Sequence, residues 1–238
     1  MRRIPFLVLV SLLLLPRAAG AVSSWGAEVY TGITLDTQGQ GSAYVGGGVD
    51  RPWEERWAWT AKFLVQYLRY RYDSLGREIE AEAPDVKLQA GVKYSRPGTY
   101  LVLTGGLDYR STDLDPRDPD AEVEGGQAGV TAELVGGRNL TEKVALAFIG
   151  SYTSIGDGLW GRVRLTRELP WVPRKRKLRA GVEAVGQGNQ DYSAYQVGAV
   201  LELVQPGQRS SYALASGYSD NDGVPDSAYF RLEYYHRF

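Results

Sequence analysis

Trp160, Arg162 and Arg164 sit two residues apart and put an indole beside two guanidinium groups. In an extended segment, residues at that spacing share one face. An aromatic flanked by guanidinium groups can stack on a sugar ring and grip its hydroxyls or carboxylates. Glu183 and Tyr192 on the following segments would complete such a glycan-contacting surface. The competing reading is plainer: both arginines form internal salt bridges to Glu183 and Glu168. Those two carboxylates could serve as a glycosidase pair, but surrounding arginines would keep both ionised and leave no proton donor. The single histidine, His236, falls on an outward face beside the C-terminus. Lipid-hydrolysing Ser-His chemistry needs it near a serine toward the outer leaflet, so His236 reads as interface packing. The chain has no cysteine, no zinc-ligand spacing and no phosphate-cradling glycine loop. Asp113–Asp120 and Asp220–Asp226 miss the EF-hand register and read as solvated acidic loops. No catalytic residue, metal or cofactor is expected.

The elements that position these residues follow from the ends and the composition. Met1-Arg2-Arg3, an apolar run from Ile4 to Pro16 and small residues at Ala18–Ala21 have the form of a secretory signal peptide, residues 1–21. No later run is long and apolar enough for a spanning helix. Residues 22–238 then make one domain. Net charge is −1 over the chain, which gives no electrostatic case for nucleic acid. Abundant glycine and tyrosine with slightly negative hydropathy disfavour a helical core and suit strands greasy on one face only.

Period-two alternation recurs along the chain. In the closing segment Ala228, Phe230, Leu232, Tyr234, His236 and Phe238 oppose Tyr229, Arg231, Glu233, Tyr235 and Arg237. Between residues 85 and 94, Val86, Leu88, Ala90, Val92 and Tyr94 oppose Asp85, Lys87, Gln89, Gly91 and Lys93. About twelve such segments fit the pattern of an all-β, antiparallel, up-and-down transmembrane β-barrel. The links sort alternately. Asp36–Gly41, Asp73–Pro84, Asp113–Asp120, Gly156–Gly158, Gly186–Asp191 and Asp220–Asp226 hold the longer loops and most of the aspartate. Arg51–Arg56, Arg96–Gly98, Gly136–Thr141, Pro170–Lys177 and Gln205–Ser210 are on the whole shorter, proline-punctuated and basic. With both termini in the periplasm, this is the loop asymmetry of a bacterial outer-membrane barrel. Trp53, Trp57, Trp59, Trp171, Tyr94, Tyr100 and Phe238 are expected at the periplasmic rim as an aromatic girdle.

An unpaired strand edge cannot persist in lipid, so the first and last strands must join. That closure is expected to bring Glu28 and Arg231 together on the inner face at the seam, as a salt bridge or as two separately solvated charges. The terminal Phe238 is expected to be the signal read by the barrel-insertion machinery. Inward-facing charges balance: Lys62, Lys87, Lys93, Arg162, Arg164, Arg179, Arg231 and Arg237 against Glu28, Asp50, Asp108, Glu133, Glu168, Glu183, Glu202 and Glu233. A strongly anion-selective pore would show one sign in excess, so a cross-braced, narrow or partly plugged interior is expected.

Several short stretches carry a likeness to a known family. They are Trp160-Gly161-Arg162-Val163-Arg164, Gly181-Val182-Glu183-Ala184, Gly188-Asn189-Gln190-Asp191-Tyr192 and Gly217-Tyr218. Tyr44-Val45-Gly46-Gly47 and Leu68-Arg69-Tyr70-Arg71-Tyr72 add to them. On these the chain resembles the cellulose biosynthesis protein BcsS family of outer-membrane β-barrels. The resemblance implies a non-enzymatic accessory role in cellulose-type exopolysaccharide biosynthesis or secretion, and brings no catalytic residues. The alternative is a small porin-like channel for oligosaccharides or other small solutes. Expected partners are outer-membrane lipid and lipopolysaccharide, the insertion machinery, polysaccharide and secretion-complex subunits. The basic turn at Pro170–Lys177 and the loop Asp113–Asp120 depart from the family pattern.

Overall fold

The computed structural model describes residues 25–121, 123–170, 176–189, 193–221 and 224–238. The signal-peptide expectation, Trp171 and Tyr192 lie outside them. Twelve strands form one closed antiparallel barrel in which each pairs with its sequence neighbours and β1 with β12. They are β1 (Gly26–Asp36), β2 (Gly41–Pro52), β3 (Trp57–Ser74), β4 (Arg77–Arg96), β5 (Thr99–Asp115) and β6 (Gly125–Asn139), then β7 (Val144–Thr153), β8 (Gly158–Glu168), β9 (Lys177–Gly188), β10 (Ser193–Gln205), β11 (Ser210–Asn221) and β12 (Val224–Arg237). Among the described residues no helix is long and apolar enough to cross a membrane.

Alternation decides which side chains meet lipid. Leu88, Leu107, Val130, Val182, Val197 and Phe230 all point outward and are exposed, as an apolar band requires. The shortest strand, β7, has 10 residues. At about 3.3 Å per residue and a tilt near 40°, that just crosses the roughly 25 Å apolar band. At the rim that holds both chain ends, hereafter the terminal end, Trp53, Trp57, Trp59 and Tyr94 interlock, with Trp53 and Trp59 ring centroids 4.1 Å apart. Tyr212, Tyr234, His236 and Phe238 form a second outward cluster at the same rim. Tyr100 does not join this girdle. It stands on the inner face with Val102, Thr104 and Asp108, because β5 keeps strict alternation to its first residues.

Two expected loops are partly strand. β3 and β4 run as a continuous ladder through Asp73↔Glu78 to Ser74↔Arg77. Leu75 and Gly76, both at positive φ (52° and 75°), make the tight turn, the backbone a two-residue hairpin demands. β5 likewise continues to Asp115, paired with Glu80. Acidic composition misled the reading: Glu78, Glu80 and Glu82 face outward, where Arg69 and Arg71 neutralise Glu80 and Glu78, while Ile79, Ala81 and Ala83 are buried on the inner side. A strand above the lipid band can carry charge on its outer face at no desolvation cost.

The β5–β6 loop folds over the opposite, distal mouth. The Tyr72 hydroxyl donates to Asp118 at 3.0 Å, and Val123 reaches Gly156 in the β7–β8 turn.

Candidate functional site

The inner face of the barrel is where charge collects, and its groups form layers. The central layer joins β8 and β9 to β12 across the lumen. Arg164 donates through Nε and Nη2 to Glu183 at 3.1 and 2.6 Å, and through Nη2 to Glu233 at 2.7 Å. Arg162 donates to the other Glu233 oxygen at 2.5 Å. Arg231 completes the chain, donating to Glu183 at 2.5 Å, to Thr34 at 3.0 Å and to Gln196 at 2.6 Å. Tyr229 and Tyr44 supply hydroxyl donors to Glu183 and Glu233 at 3.0 and 2.8 Å. Glu183 is 2% exposed. Each carboxylate therefore has charge-assisted partners, which is the condition for a buried ion pair to persist.

On the facing wall Lys62 bridges β3 to Glu133 on β6. Toward the distal mouth, Asp85 accepts from Arg110 at 3.1 Å. Lys87 lies 3.7 Å from both Asp85 and Asp108, and Asp108 accepts from Thr153 at 2.5 Å. Toward the terminal mouth, Lys93 donates to Asp50 at 2.5 Å, and the Tyr235 hydroxyl donates to Glu28 at 2.9 Å.

Several sequence-based expectations change on this geometry. Glu28 and Arg231 do not pair: the β1–β12 register sets Glu28 opposite Arg237 and Arg231 opposite Thr34. Arg231 reaches Glu183 instead, because a side chain crossing the lumen meets β9 more readily than a residue farther down its own seam. Trp160 does stand beside Arg162, 5.9 Å from guanidinium carbon to ring centroid. Yet Arg162 and Arg164 spend their donors on Glu233 and Glu183, the bridging alternative for Glu183. Glu168 takes no part in it; it accepts from Lys177 at 2.9 Å near the terminal rim. Phe238 closes the seam, its N–H donating to Ala27 on β1 at 2.9 Å. Tyr44 and Gln196 were missed. Alternation places both inward, but only the closed barrel shows that they meet β12.

Below the central layer, at the terminal mouth, lies a cavity of about 400 Å³ walled by β4–β10. Among the described residues no cluster of acidic, histidine or cysteine side chains could hold a metal ion.

The fold has known counterparts. The TodX deltaS2S3 mutant monoaromatic hydrocarbon channel is 8% identical, covers 91% of this chain and 90% of its own, and superposes with a TM-score of 0.52. The translocator domain of the autotransporter NalP from Neisseria meningitidis is 15% identical, with 98% and 93% covered and a TM-score of 0.49. At such identities the likeness is one of fold alone. No curated protein matches the chain. Residues 22–238 match the family described as cellulose biosynthesis protein BcsS, and the chain belongs to that family.

Proposed function

We propose that this protein is a non-enzymatic outer-membrane accessory of cellulose-type exopolysaccharide biosynthesis or secretion, with its terminal end in the periplasm. Family membership names the pathway. The observation that carries the accessory role is the cross-lumen network of Arg162, Arg164, Glu183, Arg231 and Glu233. Ion pairs that tie β8 and β9 to β12 narrow the bore and suit a rigid scaffold better than a wide conduit. His236 supports the same reading: it packs against Tyr234 and Phe238 on the lipid side, with the Phe238 ring centroid 4.6 Å away.

Deletion of the gene in a cellulose-producing strain is expected to lower cell-surface cellulose, with recovery on re-expression; unchanged cellulose would reject the role. Planar-bilayer recording separates the porin-like alternative. The braced barrel is expected to be silent, and steady open steps would favour a solute channel.

A further inference from the structure

The cavity at the terminal mouth meets the central brace only at Arg164, and its walls explain both its volume and its chemistry. Gly137, Ala145 and Ala147 lie along its floor. These small side chains leave room where neighbouring stretches of inner wall carry lysine, arginine or glutamate. Tyr100 faces Gly137 directly across the β5–β6 ladder. A Cβ on that glycine would come within 2.5 Å of the tyrosine ring. The ring therefore rests on bare backbone, with one face covered and the other turned to the lumen; 40% of the residue is exposed.

Around this platform stand groups that can both donate and accept. Asn139 and Thr166 line the cavity with Arg179 and Glu202. Arg179 and Glu202 are 3.6 Å apart, beyond hydrogen-bonding distance. Arg179 Nε is buried and finds no acceptor among the described residues. That atom is sealed from the cavity, but the rest of the Arg179 and Glu202 side chains stays part-exposed, at 23% and 20%, and can turn to a guest. Four arginines border the cavity: Arg164 is spent on Glu183 and Glu233, Arg96 and Arg138 follow the outward alternation of β4 and β6, and Arg179 opposes Glu202. The inward charge left to a guest is thus balanced. An open aromatic face, a ring of mixed donors and acceptors and about 400 Å³ of space match a polyhydroxylated ring with one apolar face.

We propose that this cavity binds a pyranose unit of a neutral saccharide chain, stacked on Tyr100 and hydrogen-bonded by Arg179, Glu202 and Asn139. Naming the chain a β-linked glucan rests on the proposed function; the saccharide site itself rests on the cavity alone.

The test is isothermal titration of the barrel, purified folded from outer membranes, with cellopentaose, maltopentaose and a trigalacturonate. Saturable binding of cellopentaose is expected. Tyr100→Ala should weaken it by at least about tenfold, as loss of a central aromatic anchor does. Ala145→Phe, which fills the floor without touching the platform, should abolish it. Retention of the heat-shifted gel band identifies the variants that fold. Absence of saturable binding by either neutral oligosaccharide, or binding indifferent to both substitutions, would overturn the site. Binding of trigalacturonate alone would overturn its neutral character. Binding of maltopentaose in preference to cellopentaose would reject the glucan assignment and leave the saccharide site standing. Cellopentaose binding with unaltered cellulose in the deletion strain would instead sink the cellular role.

Discussion

Glu183 on β9 accepts a hydrogen bond from Arg231 on β12 at 2.5 Å, so a carboxylate is shared between strands that are not neighbours in the sheet. Arg164 holds the other oxygen of the same carboxylate.

Removing Glu183 should therefore leave two guanidinium groups short of a partner in a confined space. Glu183→Ala is expected to destabilise the barrel by about 3–5 kcal/mol, the range for breaking a buried ion pair from one side. Glu183→Gln should cost less, because it keeps an acceptor for one arginine. Urea unfolding in lipid bilayers reads both; a loss below about 1 kcal/mol for the alanine variant would mean that the network contributes little.

Gly181 allows β8 and β9 to approach closely. A Cβ there would stand 1.9 Å from the Leu165 carbonyl oxygen, which is fixed in the ladder. Gly181→Ala should abolish the heat-shifted gel band. Gly150→Ala, where a Cβ would meet nothing within 4 Å, should leave it intact. Equal behaviour of the two would show that the wall relaxes freely.

Val182 points outward in the middle of β9 and is 58% exposed. Placed against lipid, Val182→Arg is expected to cost about 2–4 kcal/mol, as an arginine near the bilayer midplane does. Leu75, 89% exposed at the β3–β4 tip, should accept arginine within about 0.5 kcal/mol. Unfolding free energies in the same bilayers compare the two positions, and similar costs would misplace the lipid band.

Asp118 fastens the β5–β6 loop. Desolvation raises its carboxyl pKa, but hydrogen bonds from Ser74, Tyr72 and the Asp120 N–H outweigh that, and the net displacement is downward. A depressed carboxylate contributes stability above its unfolded pKa, near 3.9, and loses it as pH falls through the folded value. The loop should thus stay docked at neutral pH and loosen progressively below about pH 4. Hydrogen exchange across residues 116–124 reads this directly. Tyr72→Phe should raise exchange at neutral pH, and unchanged protection in that variant would sever the link to Asp118.

Much of the barrel was legible from alternation alone: the strand number, the two classes of link and the inward placement of Arg164, Glu183 and Arg231 all follow from period two. Partner choice was not. Alternation says which face Arg231 occupies, but whether it meets Glu28 or Glu183 depends on register, shear and the width of the bore, which emerge only on closure. Composition misled at Asp73–Pro84, where glutamates on an outward strand face look like loop. Tyr100 was misplaced for a related reason, since an aromatic near a rim is equally at home on either side of the wall.

The β3–β4 hairpin climbs from Tyr70 to Ser74 without a β2 partner and from Ile79 to Arg77 without a β5 partner. One flank of the cylinder is thus a parapet, while β7 already ends at Thr153. A macromolecule arriving over that rim meets a tall charged gable on one side and a low sill on the other. Its orientation on the barrel is thereby restricted before any specific contact forms.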